Sequence, residues 1–139
     1  MASPLERDSW TYVLGLFALG NLANGAWMLL DASGWYTDIP AAVPDFGPLN
    51  EHFVRDVGAA YLTIGVGLGW AAFAPRLRVL AVGLATVFYG LHAIGHAYET
   101  LAGRVGPEHW MIDLFPIYVP AVVLLVMLRT LVRQAPGRA

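Results

Sequence analysis

Four apolar runs, each about as long as a helix needs to cross a bilayer's hydrocarbon core (about 20 residues), are the feature that most restricts this chain. They cover residues 10–30, 51–73, 77–102 and 108–128. Backbone groups in lipid must be satisfied within their own segment, so such runs predict helices. Composition agrees: 58% of residues are hydrophobic and 13% charged, against about 25% charged in an ordinary soluble domain. With 139 residues and short inner connections, the expected fold is all-α, an integral-membrane antiparallel four-helix bundle forming one domain.

The first run also admits a cleaved signal peptide, with Ala23 and Ala26 near a small-residue cleavage site. Its leader is net acidic where a signal peptide is basic, which favours a retained first helix. Residues 31–50 carry three prolines and three aspartates among Trp35, Tyr36 and Phe46. That mixture predicts an extracytoplasmic loop folded over the bundle mouth, with Asn50 or the polar pair after it starting the next helix. Pro116 and Pro120 predict a bend in the last helix. Gly58, Gly65, Gly67 and Gly69 read as a close-packing face, and Trp10, Tyr12, Tyr36 and Trp110 as interfacial anchors.

All eight basic residues are arginines. Arg7, Arg76, Arg78, Arg129, Arg133 and Arg138 fall on the side holding both termini, and only Arg55 and Arg104 on the other. Glu6 and Asp8 are the only acids on the arginine-rich side. The positive-inside rule then predicts a multi-pass protein of a bacterial inner membrane with both termini cytoplasmic. A net charge of −2 without a basic cluster argues against nucleic acid as a partner. The lack of cysteine removes disulfides, thiolate catalysis and iron–sulfur clusters.

The stretch LHAIGHAYE brings His92, His96 and Glu99 to i, i+4 and i+7, one face of the third helix. Asn21 and Asn24 on the first helix, His52 and Asp56 on the second, and His109 and Asp113 on the fourth occupy the same end of the bundle. Taken singly, each has an ordinary reading. His52 or His109 alone is an interface residue, the asparagines are interhelical hydrogen-bonding groups, and Arg55 pairs with Glu51. Taken together, ionisable groups inside a membrane cost roughly 2.5–3.5 kcal/mol each even on lenient scales, so a layer of them points to function.

The residue types suggest a transition-metal site, with iron or zinc as one or two ions held by His52, His92, His96, His109 and Glu99. In that reading Asp56, Glu99 and Asp113 move protons, Arg55 neutralises a substrate anion or steadies Asp56, and Asn21, Asn24 and Trp110 orient the cofactor or substrate. Such a protein would be an oxidoreductase or hydrolase on a small or lipid-phase substrate. Met28 and Met111 near this layer read as packing residues rather than copper ligands. Three alternatives stand beside it. A b-type haem would pair His52 or His109 with His92 or His96. A metal-free His/Asp/Glu acid–base site would shuttle protons or isomerise a double bond in a pocket lined by Trp27, Trp35, Tyr98 and Trp110. A structural or transport subunit would work as a homodimer or with a larger partner.

The segment FGPLNEHFVRDVGAAYL, residues 46–62, resembles a stretch of small bacterial four-span membrane proteins of DoxX-like type. The resemblance implies an inner-membrane bundle and brings Asn50, His52, Arg55 and Asp56 forward, with no activity attached.

Overall fold

A computed structural model describes residues 7–134; Glu6 and Arg138 of the charge count lie outside the described residues. Four helices in it are long and apolar enough to span a membrane. The chain is a multi-pass membrane protein folded as an all-α antiparallel bundle. Helix α1 (Ser9–Leu30) is followed by a short α2 (Ala32–Asp38), and α3 (Glu51–Phe73) by α4 (Arg78–Leu101). A one-turn α5 (His109–Ile112) then leads through a π-helical turn (Leu114–Tyr118) into α6 (Val119–Gln134).

The ends of these elements follow from local side chains. Asp8 caps α1 by accepting from the Thr11 N–H at 3.0 Å, and Asn50 caps α3 through the Phe53 N–H at 3.1 Å, each satisfying an otherwise unpaired donor. Asp31 closes α1 and caps α2 through the Gly34 N–H at 2.9 Å. Gly103, at φ 68°, supplies the left-handed residue that stops the chain just past α4.

The fourth crossing differs from a simple bent helix. Pro116 has no N–H, and in an α-helix its ring would strike the carbonyl four residues back. The turn widens instead, so that the Asp113 carbonyl accepts from both Ile117 (3.0 Å) and Tyr118 (3.1 Å). This wide turn lies immediately after Asp113.

Helix α1 packs most extensively on α3, and α4 on α6; α3 and α4 meet over a smaller area. Gly25, Gly58 and Gly65 allow the first contact. A Cβ on Gly25 would lie 2.6 Å from the Gly58 carbonyl oxygen, and one on Gly65 would lie 2.8 Å from the Leu22 side chain. Gly67 faces open space and Gly69 makes only ordinary contact, so the close-packing face is narrower than the glycine run implies. Leu14, Leu68, Val82 and Leu124 are fully buried in the shared core.

The termini-bearing end is tied together by polar side chains. Trp10 Nε1 donates to Gln134 Oε1 at 3.3 Å. Arg78 donates to both Asp8 carboxylate oxygens, one at 2.8 Å, and to the Ala71 carbonyl at 3.3 Å. Counted in the sequence as one of the charges at the membrane surface, Arg78 is in fact buried and joins α1, the end of α3 and the start of α4. Its guanidinium holds the Asp8 carboxyl down at about 2, well below its ordinary 3.8.

Candidate active site

The opposite end of the bundle holds the polar cluster. On α4 the inward positions run Val82, Ala85, Tyr89, then His92 and His96, at alternating steps of three and four. His96 Nδ1 lies 2.9 Å from Asp113 Oδ2. Asp113 has no exposed surface, and neither does His109 one turn before it. The His109 Nε2 lies 3.1 Å from Asp45 Oδ2, contributed by the 31–50 segment. The two His/Asp pairs approach each other where His109 Nδ1 lies 3.7 Å from Asp113 Oδ2. That separation is too long for a hydrogen bond. Asp113 Oδ1, His109 Nδ1 and the Tyr118 hydroxyl are buried without hydrogen-bond partners among the described residues.

Aromatic rings hold the imidazoles in place. Phe46 packs at 4.7 Å from the His96 ring and 4.9 Å from that of His109. His92 meets His96 edge-on at 4.7 Å and lies nearly parallel to Phe88. His92 and His96 both line a cavity of about 560 Å³ between α3, α4 and the 31–50 segment. Its walls are otherwise mainly apolar, including Trp35, Phe46, Phe53, Val57, Tyr61 and Phe88. Residues 31–50 roof it. Trp35 Nε1 donates to Asn24 Oδ1 at 2.9 Å, and the Tyr36 hydroxyl to the Gly47 carbonyl at 2.7 Å. Ala42 takes a left-handed φ of 47° where this segment turns back toward the cavity.

The sequence-derived candidates divide. His92, His96, His109 and Asp113 come together. Asn24 lines the cavity and anchors its roof, whereas Asn21 is buried in the helix contact, accepting from the Tyr89 hydroxyl at 3.1 Å. His52 and Asp56 face outward, paired at 3.4 Å with most of both side chains exposed. The buried positions Val54, Gly58 and Tyr61 place that pair on the other side of α3. Arg55 is bonded to Glu51 at 2.8 Å and Glu99 to Arg104 at 2.9 Å, away from the cavity. Trp110 stacks on Tyr118. Trp27, Tyr98 and Trp110 do not line the cavity; of the four aromatic residues expected to do so, Trp35 does.

The expectation of a transition metal, iron or zinc, is therefore corrected. Among the described residues no group of three His, Cys, Asp or Glu side chains is arranged to hold an ion. The expected ligands His52 and Glu99 point elsewhere, and the remaining donors are disposed in series, His96 against Asp113 Oδ2 and His109 Nε2 against Asp45 Oδ2. The haem alternative is corrected on the same geometry. His96 and His109 are separated by a carboxylate rather than by a porphyrin-wide gap, and His52 is on the outer surface.

Asp45, one of the three aspartates of residues 31–50, is a member of the cluster that the sequence reading left without a role. The available signal was an acid beside Phe46 in a loop too aromatic for a free linker. Tyr89 and Phe88 were also legible, as the inward continuation of the His92–His96 stripe. Compared with protein-family models, curated proteins and solved structures, the chain matches none, and nothing ties the architecture specifically to DoxX-like proteins.

Proposed function

We propose that the protein is a metal-free acid–base catalyst acting on a lipid-phase molecule in the cavity, with His96 as the proton-transfer group. The observation that carries this reading is the His96–Asp113 pair at 2.9 Å, with the imidazole lining an apolar cavity and the carboxylate fully buried behind it. Asp113 accepts from Nδ1–H, so it fixes the tautomer in which Nε2 carries the free lone pair. The same carboxylate stabilises the imidazolium that forms when Nε2 takes a proton. Beside a carbonyl, the substrate C–H bond would break as Nε2–H forms, and its electron pair would pass to the carbonyl oxygen as an enolate. Return of the proton to the same or the conjugated carbon regenerates the base.

His109 and Asp45 extend the polar series towards the rim, since half of the Asp45 side chain is exposed. A purely structural role would leave these groups directly paired and the bundle closed; the cavity and the unpartnered buried atoms favour chemistry. Charge counting supports a bacterial inner-membrane location with cytoplasmic termini and the cavity towards the periplasm. The resemblance of residues 46–62 to DoxX-like proteins is compatible with that location and assigns no activity.

The test is hydrogen–deuterium exchange at the carbon next to a carbonyl, measured on 2-tetralone and 2-undecanone in proteoliposomes prepared in D2O with chelator. Protein should accelerate exchange of at least one ketone over protein-free vesicles. His96→Ala should reduce the protein-dependent rate by about 100-fold or more, the usual contribution of a positioned base. Exchange equal to that of empty vesicles, or unchanged in His96→Ala, would overturn the reading.

A further inference from the structure

We propose that the cavity selects an uncharged, flat, ring-containing molecule bearing a hydroxyl or carbonyl oxygen. This ligand class rests on the acid–base reading of His96, and it is argued from the walls rather than from the base.

Charge is the first selector. Among the described residues, no arginine, aspartate or glutamate lines the cavity. The nearby arginines are committed elsewhere, Arg55 to Glu51 and Arg104 to Glu99, both on exposed surface. An anionic headgroup or carboxylate would therefore meet no cation, and would approach the buried Asp113 carboxylate behind His96. A cation fares little better, since Asp113 is already bonded to His96 and does not line the space. Aromatic faces offer a cation only partial compensation for lost hydration. A neutral ligand avoids both penalties.

Shape is the second. The Phe88 and His92 rings lie within 13° of parallel, Tyr61 abuts Phe88 edge-on at 5.2 Å, and Phe46 stands against His96 across from them. Rigid flat walls favour a planar occupant over a flexible chain, whose conformational freedom would be lost on entry. A volume of about 560 Å³ suits one small ligand and not a two-chain lipid. Polar groups are few: His92, His96 and Tyr61 can meet a ligand oxygen, while the Tyr89 hydroxyl is bonded to Asn21 and Asn24 Oδ1 to Trp35.

The probes are 2-naphthol, 2-naphthoate, 2-naphthylmethylammonium and 1-decanol, measured by equilibrium dialysis against the full chain in nanodiscs at neutral pH, with empty nanodiscs subtracted. 2-Naphthol should bind saturably, one per chain, at least tenfold more tightly than the other three. Val57→Phe and Ala41→Leu, which fill the cavity from α3 and from the 31–50 segment, should each weaken it at least tenfold; two variants are used so that one folding failure leaves a result. Binding no greater than in empty nanodiscs would overturn the proposal. So would equal or tighter binding of the naphthoate, the ammonium or decanol, or naphthol binding untouched by the filling variants that fold. Loss of naphthol selectivity with His96-dependent ketone exchange intact overturns the ligand class alone; absence of that exchange with naphthol binding intact overturns the acid–base reading alone.

Discussion

Asp113 is an acidic side chain with no exposed surface, and its neighbours explain how it stays there. A buried carboxylate is tolerated only when bonded, and His96 supplies that bond at 2.9 Å. Asp113→Ala should lower stability by about 1.5–3 kcal/mol, the range for a hydrogen bond to a charged group, as read from thermal unfolding in detergent. Asp113→Asn, close in size, should retain the fold while losing most of the ketone exchange. A second prediction concerns the other end of the bundle. Asp8 is held at about 2 by Arg78, below its unfolded value, so its contribution is present above about pH 4 and is lost as pH falls through 2. Asp8→Asn should therefore destabilise at neutral pH, towards the low end of the same 1.5–3 kcal/mol because Asp8 is half exposed. The gap between variant and parent should close near pH 2. At this scale the sequence showed which residue types matter, but not which pairs form. The aspartate that completes the His109 pair comes from a loop 64 positions earlier, and no local spacing records such a contact.

Helices α1 and α3 approach closely because Gly25 and Gly58 have no side chains to keep them apart. Gly25→Ala would place a Cβ 2.6 Å from the Gly58 carbonyl and 2.9 Å from the Leu62 nitrogen, backbone atoms that cannot rotate away. It should cost about 1–3 kcal/mol of stability, the usual range for overpacking, whereas Gly67→Ala, with nothing within 4 Å, should be neutral or slightly stabilising; parallel unfolding curves decide both. The π-helical turn belongs to this scale as well. Pro116→Ala removes the clash that widens the turn, so α6 is expected to wind back towards regular α-helix and draw Asp113 out of line with His96. The expected outcome is a folded protein with reduced exchange activity and an altered amide-exchange pattern at Ile117 and Tyr118. The helices themselves were legible from run length, and the inward face of α4 from its three-four spacing. The face of α3 was not. Its apolar residues surround the helix, so nothing in the pattern said that Val54 and Tyr61 turn inward and carry His52 and Asp56 to the outside.

For the whole molecule, two closely packed helix pairs meet across a smaller seam, and the cavity lies where that seam opens beneath the 31–50 roof. The overall class was readable because a bilayer allows so few alternatives. The assumption that all four helix ends pool their polar groups was not safe, because end-to-end placement fixes depth and leaves rotation about each axis open. The proposed orientation is testable because the chain has no cysteine of its own. In spheroplasts, a membrane-impermeant maleimide should label Thr37→Cys on the exposed roof and leave Arg133→Cys unlabelled until the membrane is opened; the reverse pattern would place the cavity on the cytoplasmic side. The measurement that goes most directly to the central claim is the imidazole 15N spectrum of histidine-labelled protein in bilayers, with and without Asp113→Asn. The account predicts a His96 Nδ1–H signal shifted by its carboxylate partner, which moves in Asp113→Asn while the His52 signal stays fixed. A His96 signal indifferent to Asp113, or a His52 signal that moves in its place, would contradict it.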